Sequence, residues 1–205
     1  MDTLFCFSSM VIDRLELLTE NQEDVGLVYL YCNYKEQDKQ TMPHLLGSIL
    51  HQLSSKPLLR DSIVRKAQEL HQKHAAKQTR PTVTEISELL RVHFARLSRV
   101  YIVIDALDEC KAQNELMHKI RELHCDDHGR LSVIVTSRPR DTKIILGWFR
   151  QDSPPLELEI QASDSDIRQY LQKQLQVLQQ RSSFEIPLDL LADILNVVSE
   201  KADKM

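Results

Sequence analysis

Three acidic side chains follow an apolar run in the middle of the sequence. Residues 100–104 are Val-Tyr-Ile-Val-Ile, and Asp105, Asp108 and Glu109 come directly after them. An apolar run without polar alternation is typical of a central parallel strand that is covered by helices on both faces. Active-site residues in such sheets lie at the carboxyl ends of strands. A carboxylate there can hold Mg²⁺ against nucleotide phosphates, so we interpret Asp105 as a metal ligand. The alternative is a surface turn whose acids are merely solvated.

The two acids after Asp105 are candidates for the catalytic role. In a magnesium-nucleotide site, one strand-end aspartate holds the metal while a neighbouring acid orients or deprotonates the attacking water. Asp108 or Glu109 would take that second role, and the sequence does not decide between them. Ala106 fits the same interpretation, because a small side chain leaves room for the ion and the phosphates.

A second polar pair follows the next apolar run of the chain. Ser137 and Arg138 come directly after residues 131–136. A guanidinium at the end of a neighbouring strand could reach the terminal phosphate of a bound nucleotide, and the serine hydroxyl could add a hydrogen bond. The alternative is that Arg138 caps the strand end or pairs with a surface acid.

The elements that must position these residues alternate between short apolar strands and helical segments. Each crossover is a dozen or more residues long, which predicts a three-layer α/β domain with a parallel sheet. Thr82 and Glu85 have the spacing of a capping box, Ser8 or Ser9 can cap the first helix, and Pro43 suits an early helix position. We predict strands at residues 27–32, 100–104, 131–136 and 156–160, and helices at residues 8–20, from 41 to before Pro57, at 58–76, 82–94, 112–124 and 163–180, and from 187 onwards.

Composition excludes several classes of protein. The 205 residues carry a formal charge of −4, which gives no basic field for nucleic acid or an anionic membrane surface. No apolar run approaches the ~20 residues that span a bilayer. We therefore expect a soluble cytoplasmic protein that binds neither nucleic acid nor membrane. The four cysteines, Cys6, Cys32, Cys110 and Cys125, are widely spaced, so we expect reduced thiols.

Two groups of histidines are weaker candidates for metal binding. The stretch His124-Cys125-Asp126-Asp127-His128 contains ligand types, but its spacing matches none of the usual zinc patterns. His71 and His74 lie on one face of a predicted helix without a third ligand. We interpret both groups as a surface loop and surface histidines.

The motifs VYIVIDALDEC and LSVIVTSRPRD, with YLYCNY upstream and SDIRQYLQKQL downstream, resemble NACHT-type STAND NTPases. In particular they are similar to the nephrocystin-like N-terminal NTPase domain of large fungal multidomain proteins. The resemblance implies that Asp105 binds Mg²⁺, that Asp108 and Glu109 are the catalytic acids, and that Ser137 and Arg138 sense a phosphate of ATP or GTP. It also implies protein partners and oligomerisation on nucleotide binding.

One motif of that family is missing from the sequence. The family has a loop G-x-x-x-x-G-K-[ST] before the helix that matches residues 8–20, whereas residues 1–7 contain no Gly and no Lys. We expect residues 1–162 to form an incomplete phosphate-loop NTPase-like domain that lacks this strand and does not hydrolyse nucleotide. We expect residues 163–205 to be a helical segment leading toward a missing lid region. The alternatives are a non-catalytic interaction scaffold, or a fragment of a working signalling ATPase whose start lies upstream.

Overall fold

The structure is a computed structural model. It describes residues 3–126, 129–139, 142–149 and 155–160, together with residues 165, 169, 171–173, 175, 187, 190, 193 and 197. The chain divides into two compact units, Met1–Glu157 and Leu158–Met205. The candidate site residues all belong to the first unit.

The first unit is built on a three-stranded parallel sheet. Its strands are β1 (Val25–Tyr31), β2 (Arg99–Asp105) and β3 (Leu131–Val135), in the order β1-β2-β3. The register pairs Tyr31 with Asp105 and Ile104 with Val135. The carboxyl ends of all three strands therefore lie at one edge of the sheet. The predicted α/β class with a parallel sheet is confirmed.

Helices connect and cover these strands. The helices are α1 (Thr3–Thr19), α2 (Met42–Leu53), α3 (Pro57–Ala75), α4 (Val83–Phe94), α5 (Gln113–Asp126) and α6 (Thr142–Phe149). Two short 3₁₀ helices, Tyr34–Glu36 and Leu107–Glu109, follow β1 and β2. Both of these short helices lie next to the carboxyl edge of the sheet.

The two faces of β2 are buried by different helices. Side chains alternate between the faces of a strand. Val100, Ile102 and Ile104 belong to the main core, which they share with buried residues of α2, α4 and α5. Val103 is fully buried outside that cluster, on the face where α1 contacts β1 and β2. Burial of each aliphatic side chain contributes roughly 1.5–3 kcal/mol, so both faces hold β2 firmly in place.

The outer edge of β1 is covered by a side chain of α2. The amide of Gln52 accepts a hydrogen bond from the backbone N–H of Tyr29 at 2.8 Å and donates one to its carbonyl at 2.8 Å. A glutamine side chain thus takes the place of a neighbouring strand at this position. Such covering protects an edge strand from pairing with another chain.

The start of α4 contains the predicted capping box. The Thr82 hydroxyl accepts a hydrogen bond from the Glu85 N–H, and the Glu85 carboxylate accepts one from the Thr82 N–H. The same carboxylate lies 2.8 Å from Nε2 of His74, whose Nδ1 lies 2.7 Å from the Thr79 hydroxyl. His74 is buried, so the prediction of a surface histidine is wrong for this residue. It joins the end of α3 to the start of α4.

Three predictions of secondary structure need correction. The first helix begins at Thr3 rather than at Ser8 or Ser9, because residues 3–7 contain no Gly or Pro that would stop it. Residues 156–160 are not a strand, and Leu156 is 97% exposed, so the alternating sequence has no sheet against which to bury its apolar face. Helix α6 was not predicted, because β-branched residues and Gly147 weaken its helical pattern.

Within the described part of the chain, no helix has the length and apolarity needed to cross a membrane.

The described residues of the second unit are mostly helical. Residues 165, 169, 171–173, 175, 190, 193 and 197 are helical, which agrees with the predicted helices where the structure describes them. The side chains of residues 125–128 in the histidine and cysteine stretch lie outside the described part.

Candidate functional site

Asp105 is the last residue of β2, and its side chain is almost completely buried. The residue is 5% exposed. Its Oδ1 accepts a hydrogen bond of 2.5 Å from the hydroxyl of Ser8 on α1 and one of 2.6 Å from the hydroxyl of Thr136. Both donors are neutral and buried themselves. A carboxylate with only these partners is fixed in direction by its neighbours, and its negative charge is not paired by them.

The backbone turns sharply directly after Asp105. Ala106 adopts a left-handed conformation, with φ 52° and ψ 50°, which costs a non-glycine residue roughly 1–2 kcal/mol. Thr136 holds this turn through two hydrogen bonds. Its hydroxyl accepts a hydrogen bond from the Ala106 N–H at 2.9 Å, and its carbonyl accepts one from the Leu107 N–H at 2.9 Å. The direction of the following acids therefore depends on β3.

Asp108 and Glu109 lie on the 3₁₀ helix after this turn, and Arg138 lies beside them. Arg138 Nε is 3.4 Å from Asp108 Oδ2, and its Nη2 is 3.3 Å from Glu109 Oε1. The Arg138 N–H also donates to Asp108 Oδ1 at 3.3 Å. The predicted residues of two different strand ends thus come together at one edge. In this structure the guanidinium pairs with both acids, whose side chains are 3% and 19% exposed.

One oxygen of Asp108 is buried without a hydrogen-bond donor. The side chain of Asp108 is 3% exposed, and Oδ2 has no hydrogen bond even though the Arg138 guanidinium lies within ion-pair distance. The side chain of Arg138 is itself 55% exposed. A buried carboxylate oxygen without a hydrogen-bond donor is costly, so Asp108 Oδ2 could accept a hydrogen bond from a further group that the described residues do not supply.

Glu109 connects the acidic turn to the segment after β1. Its Oε2 accepts a hydrogen bond from the Tyr34 N–H at 3.1 Å, and its backbone carbonyl accepts one from Gln37 Nε2 at 3.1 Å. The hydroxyl of Ser137 points instead to the carbonyl of Arg138, at 3.2 Å. The edge therefore gathers Asp105, Asp108, Glu109 and Arg138, whereas the hydroxyl of Ser137 is bonded to the backbone.

The oxygen ligands at this edge suit Mg²⁺. This ion is usually bound by one or two carboxylates, several waters and the phosphates of a substrate. Asp105 provides a fixed carboxylate, and a water on the metal would give the buried Asp108 Oδ2 the donor that it lacks. Among the described residues, no three His, Cys, Asp or Glu side chains converge into a protein-only metal site. Asp105 and Asp108 are therefore the residues of this edge that could contribute oxygen ligands to such an ion.

Two residues of this site were missed in the sequence. Ser8 was interpreted as a helix cap, yet it lies inside α1 with its hydroxyl on Asp105. Thr136 was only the end of a predicted strand, yet it holds both Asp105 and the turn. The available signal was the position of Thr136 beside the predicted Ser137-Arg138 pair, because strand ends of a parallel sheet meet at one edge.

A wide groove lies away from the acidic edge. It has a volume of about 990 Å³ and lies between α1, β1, α2 and α3. Leu17, Leu27 and Tyr29 contribute apolar surface, while Asp13 and Lys56 contribute opposite charges. None of the acids at the carboxyl edge lines it. The groove and the candidate metal site are therefore separate features.

Comparison with known families matches residues 6–138 to the family described as nephrocystin 3, N-terminal. The match covers more than half of the 205 residues and includes every residue of the acidic edge. No curated protein and no solved structure matches the chain.

Proposed function

The chain belongs to the nephrocystin 3 N-terminal family, and from that premise we propose that its acidic edge is the metal and sensor half of a magnesium-nucleotide site. The observation that carries the proposal is that three charged residues lie together at the carboxyl edge of a parallel sheet. They are the buried Asp105, Asp108 with its unsatisfied Oδ2, and the exposed Arg138. This is the part of an α/β sheet where nucleotides bind. The layout supports a fold of the phosphate-loop NTPase kind and a NACHT-like nucleotide switch.

Each residue of the edge has a role that its contacts support. Asp105 would hold Mg²⁺, and the hydroxyls of Ser8 and Thr136 keep its carboxylate in one direction. Asp108 is the better candidate for orienting water, because its buried Oδ2 lacks a donor. Glu109 is engaged on both carboxylate oxygens, by the Tyr34 N–H and by Arg138. It therefore positions the turn.

Arg138 acts as the sensor of the terminal phosphate. Its guanidinium pairs with the two acids and its side chain is more than half exposed, so a phosphate can compete for it without moving the backbone. Ser137 adds a hydroxyl next to it. The acids of this edge would hold Mg²⁺ with ATP or GTP, and the ion would supply the positive charge that Arg138 otherwise gives them. The exchange of partners by Arg138 reports the state of the nucleotide to β3.

This 205-residue polypeptide does not hydrolyse nucleotide efficiently by itself. It contains no G-x-x-x-x-G-K-[ST] sequence, so a cradle of backbone amides and its lysine are not provided within it. Phosphoryl transfer depends almost entirely on such positioning and charge stabilisation. We expect weak, Mg²⁺-dependent nucleotide binding. We also propose that the chain binds protein partners and oligomerises when nucleotide is bound.

Thermal unfolding with and without Mg²⁺ tests the metal site. At a Mg²⁺ concentration ten times the dissociation constant, binding stabilises the folded state by about 1.4 kcal/mol, which raises Tm by roughly 3–5 °C for a chain of this size. Asp105→Asn keeps an oxygen that accepts from Ser8 and Thr136 but removes the charge, so it should lose this shift. Glu115→Gln removes an exposed acid from α5 and is the matched control.

Two results would contradict separate parts of the proposal, the first the metal site and the second the expected inactivity. One is a Mg²⁺-dependent rise in Tm that is equally large in Asp105→Asn and in the wild-type chain. The other concerns weak binding. If a fluorescent nucleotide binds the wild-type polypeptide with micromolar affinity in Mg²⁺, and Asp105→Ala abolishes that binding, then the phosphate site is complete in these residues and the expected inactivity is wrong.

A further inference from the structure

The wide groove has the outer edge of β1 along its floor. In the sheet order β1-β2-β3, β1 has a neighbouring strand on one side only. Helix α1 contacts the face of the sheet on which Val103 lies, whereas α2 packs in the main core on the opposite face. Residues of α1, β1, α2 and α3 all line the groove. A strand edge therefore lies between two layers of helices, with a space of about 990 Å³ beside it.

Leu27 offers an open pairing position on this edge. Along a strand, the backbone groups of successive residues point alternately to its two sides. The N–H of Cys32, directly after β1, points toward β2, where it donates to the Asp105 carbonyl at 3.0 Å. The backbone of Tyr29 points the other way, toward Gln52. Leu27 lies two residues before Tyr29 and directs its N–H and carbonyl outward in the same way. Among the described residues, none forms a hydrogen bond with either of these two groups.

Gln52 shows which chemical group this edge accepts. A glutamine side chain ends in an amide, which carries the same kinds of donor and acceptor as a peptide bond. The amide of Gln52 makes both hydrogen bonds to Tyr29 at 2.8 Å, so it is bound there as a single peptide unit would be. Its Nε2 also donates to the Ser48 hydroxyl at 3.2 Å, which leaves the amide a partner when a strand takes its place. A peptide that replaces this amide at Tyr29 reaches the open groups of Leu27 with its next pair of hydrogen bonds.

The charges along the groove favour a cationic occupant. Asp13, Glu16 and Glu20 of α1 line one side and are exposed, and none of them forms an ion pair with a described residue. Lys56 and Arg60 line the other side, and each donates to a backbone carbonyl, at 3.2 and 3.3 Å. The two cations are thus held against the protein, whereas the three carboxylates have no cation bonded to them. Basic side chains of an occupant would complement these carboxylates.

We propose that the groove binds an extended peptide segment of a partner protein, in which basic residues alternate with apolar ones. The segment adds to the outer edge of β1 as a further strand and pairs with Leu27 and Tyr29. Side chains of a strand alternate between its two faces. The basic ones lie along the carboxylates of α1, and the apolar ones lie toward α3, where Val64 is 45% exposed. In such strand addition, main-chain hydrogen bonds give affinity and the alternate side chains give selectivity. The inference does not depend on nucleotide binding, because the groove is separate from the acidic edge.

Fluorescence anisotropy tests the proposal, with a labelled synthetic peptide of alternating lysine and valine as the probe. We expect saturable binding to the full chain that weakens as the salt concentration rises. A peptide of alternating glutamate and valine should not bind. Absence of binding of the lysine peptide, or equal binding of the two peptides, would overturn the proposal.

A pair of double variants separates the groove from general attraction by the negatively charged chain. Glu16→Gln combined with Glu20→Gln should weaken binding of the lysine peptide roughly two- to tenfold, as expected for two exposed ion pairs. Asp38→Asn combined with Glu115→Gln removes the same charge from exposed positions outside the groove and should leave the affinity unchanged. Equal effects of the two double variants would mean that only net charge attracts the peptide, which would overturn the proposal.

Methylation of the peptide backbone tests whether the probe binds as a strand. Two further probes carry N-methyl groups, one on all of its lysine amides and the other on all of its valine amides. Only one of these two sets of N–H groups faces β1 in an added strand. One methylated probe should therefore lose binding and the other should retain it, although their charges are equal. Equal affinities of the two methylated probes would overturn strand addition.

The oligomeric state of the wild-type chain distinguishes a partner peptide from a second copy of this chain. We expect light scattering without nucleotide and without peptide to give the mass of a monomer. If the wild-type chain instead forms a dimer that Glu16→Gln combined with Glu20→Gln dissociates, a second copy occupies the groove and the proposal of a partner peptide is wrong.

Discussion

Replacement of Thr136 by valine removes one hydroxyl that serves two partners. The hydroxyl donates to Asp105 Oδ1 at 2.6 Å and accepts from the Ala106 N–H at 2.9 Å. Thr136 is 6% exposed, so water does not easily replace the hydroxyl. Valine has nearly the same shape, and the backbone bonds of residue 136 to Ile104 and Leu107 remain possible. The change therefore isolates the side-chain bonds.

The expected loss of stability follows from these two bonds. A hydrogen bond to a charged group contributes roughly 1.5–3 kcal/mol and a neutral one roughly 0.5–1.5 kcal/mol. We expect Thr136→Val to lower the free energy of unfolding by about 3 kcal/mol. With a urea m-value of about 2 kcal/mol per molar, the midpoint falls by roughly 1.5 M. Urea unfolding can be followed by circular dichroism and by the fluorescence of Trp148, which is the single tryptophan of the chain.

Thr136→Ser is the matched control, because it keeps the hydroxyl and loses one methyl group. Its expected cost is about 1 kcal/mol. The reasoning is refuted if the valine variant is as stable as the serine variant. A double-mutant cycle with Ser8→Ala adds a second check, because both hydroxyls donate to the same carboxylate oxygen. The two changes should not be additive, with a coupling of at least ~0.5 kcal/mol.

Two other contacts give predictions of their own. Glu85 has its pKa lowered from 4.5 to about 2, first by its hydrogen bond from Lys73 and then by that from the Thr82 N–H. The stability that Glu85 contributes is complete above pH 4.5 and is lost as the pH falls toward 2. In urea titrations, Glu85→Gln should therefore be less stable than the wild-type chain near pH 7 and equally stable near pH 2. Glu88→Gln, which removes one acid of an exposed ion pair, should change stability little, and equal effects of the two variants would contradict this prediction. Gln52→Ala should leave the backbone N–H and carbonyl of Tyr29 without partners and lower the free energy of unfolding by roughly 1–2 kcal/mol. It should also promote self-association, measured by light scattering, whereas Gln68→Ala, at an exposed position, should not. An unchanged particle size of the Gln52 variant would count against its role in covering β1.

The parts of the fold that the sequence predicted well have local signals. The apolar runs of β2 and β3 are unbroken, and the capping box of α4 lies within four residues, so each could be recognised without knowledge of the rest of the chain. Residues 156–160 have an equally clear alternating pattern, yet they form no strand. A strand needs a neighbour to pair with, and no local pattern says whether one is present.

The residues of the candidate site can also be divided into those that have a local sequence signal and those that have none. Asp105, Asp108, Glu109 and Arg138 could be placed at one edge because strand ends of parallel sheets meet. The partners of Asp105 could not, because Ser8 is 97 residues away and Thr136 is 31 residues away in the sequence. Hydroxyl residues are common, and only the packing of α1 and β3 against β2 selects these two.

The left-handed turn at Ala106 also determines which parts of the chain can change in length. Its two fastening bonds both come from Thr136, so the acids take their direction from the register of β3 against β2. The segment between the acidic turn and β3 is constrained only by the need to place β3 in this register beside β2. Insertions there should leave the acids in place, whereas a slip of β3 by one residue would remove Thr136 from the turn and point Asp108 and Glu109 elsewhere.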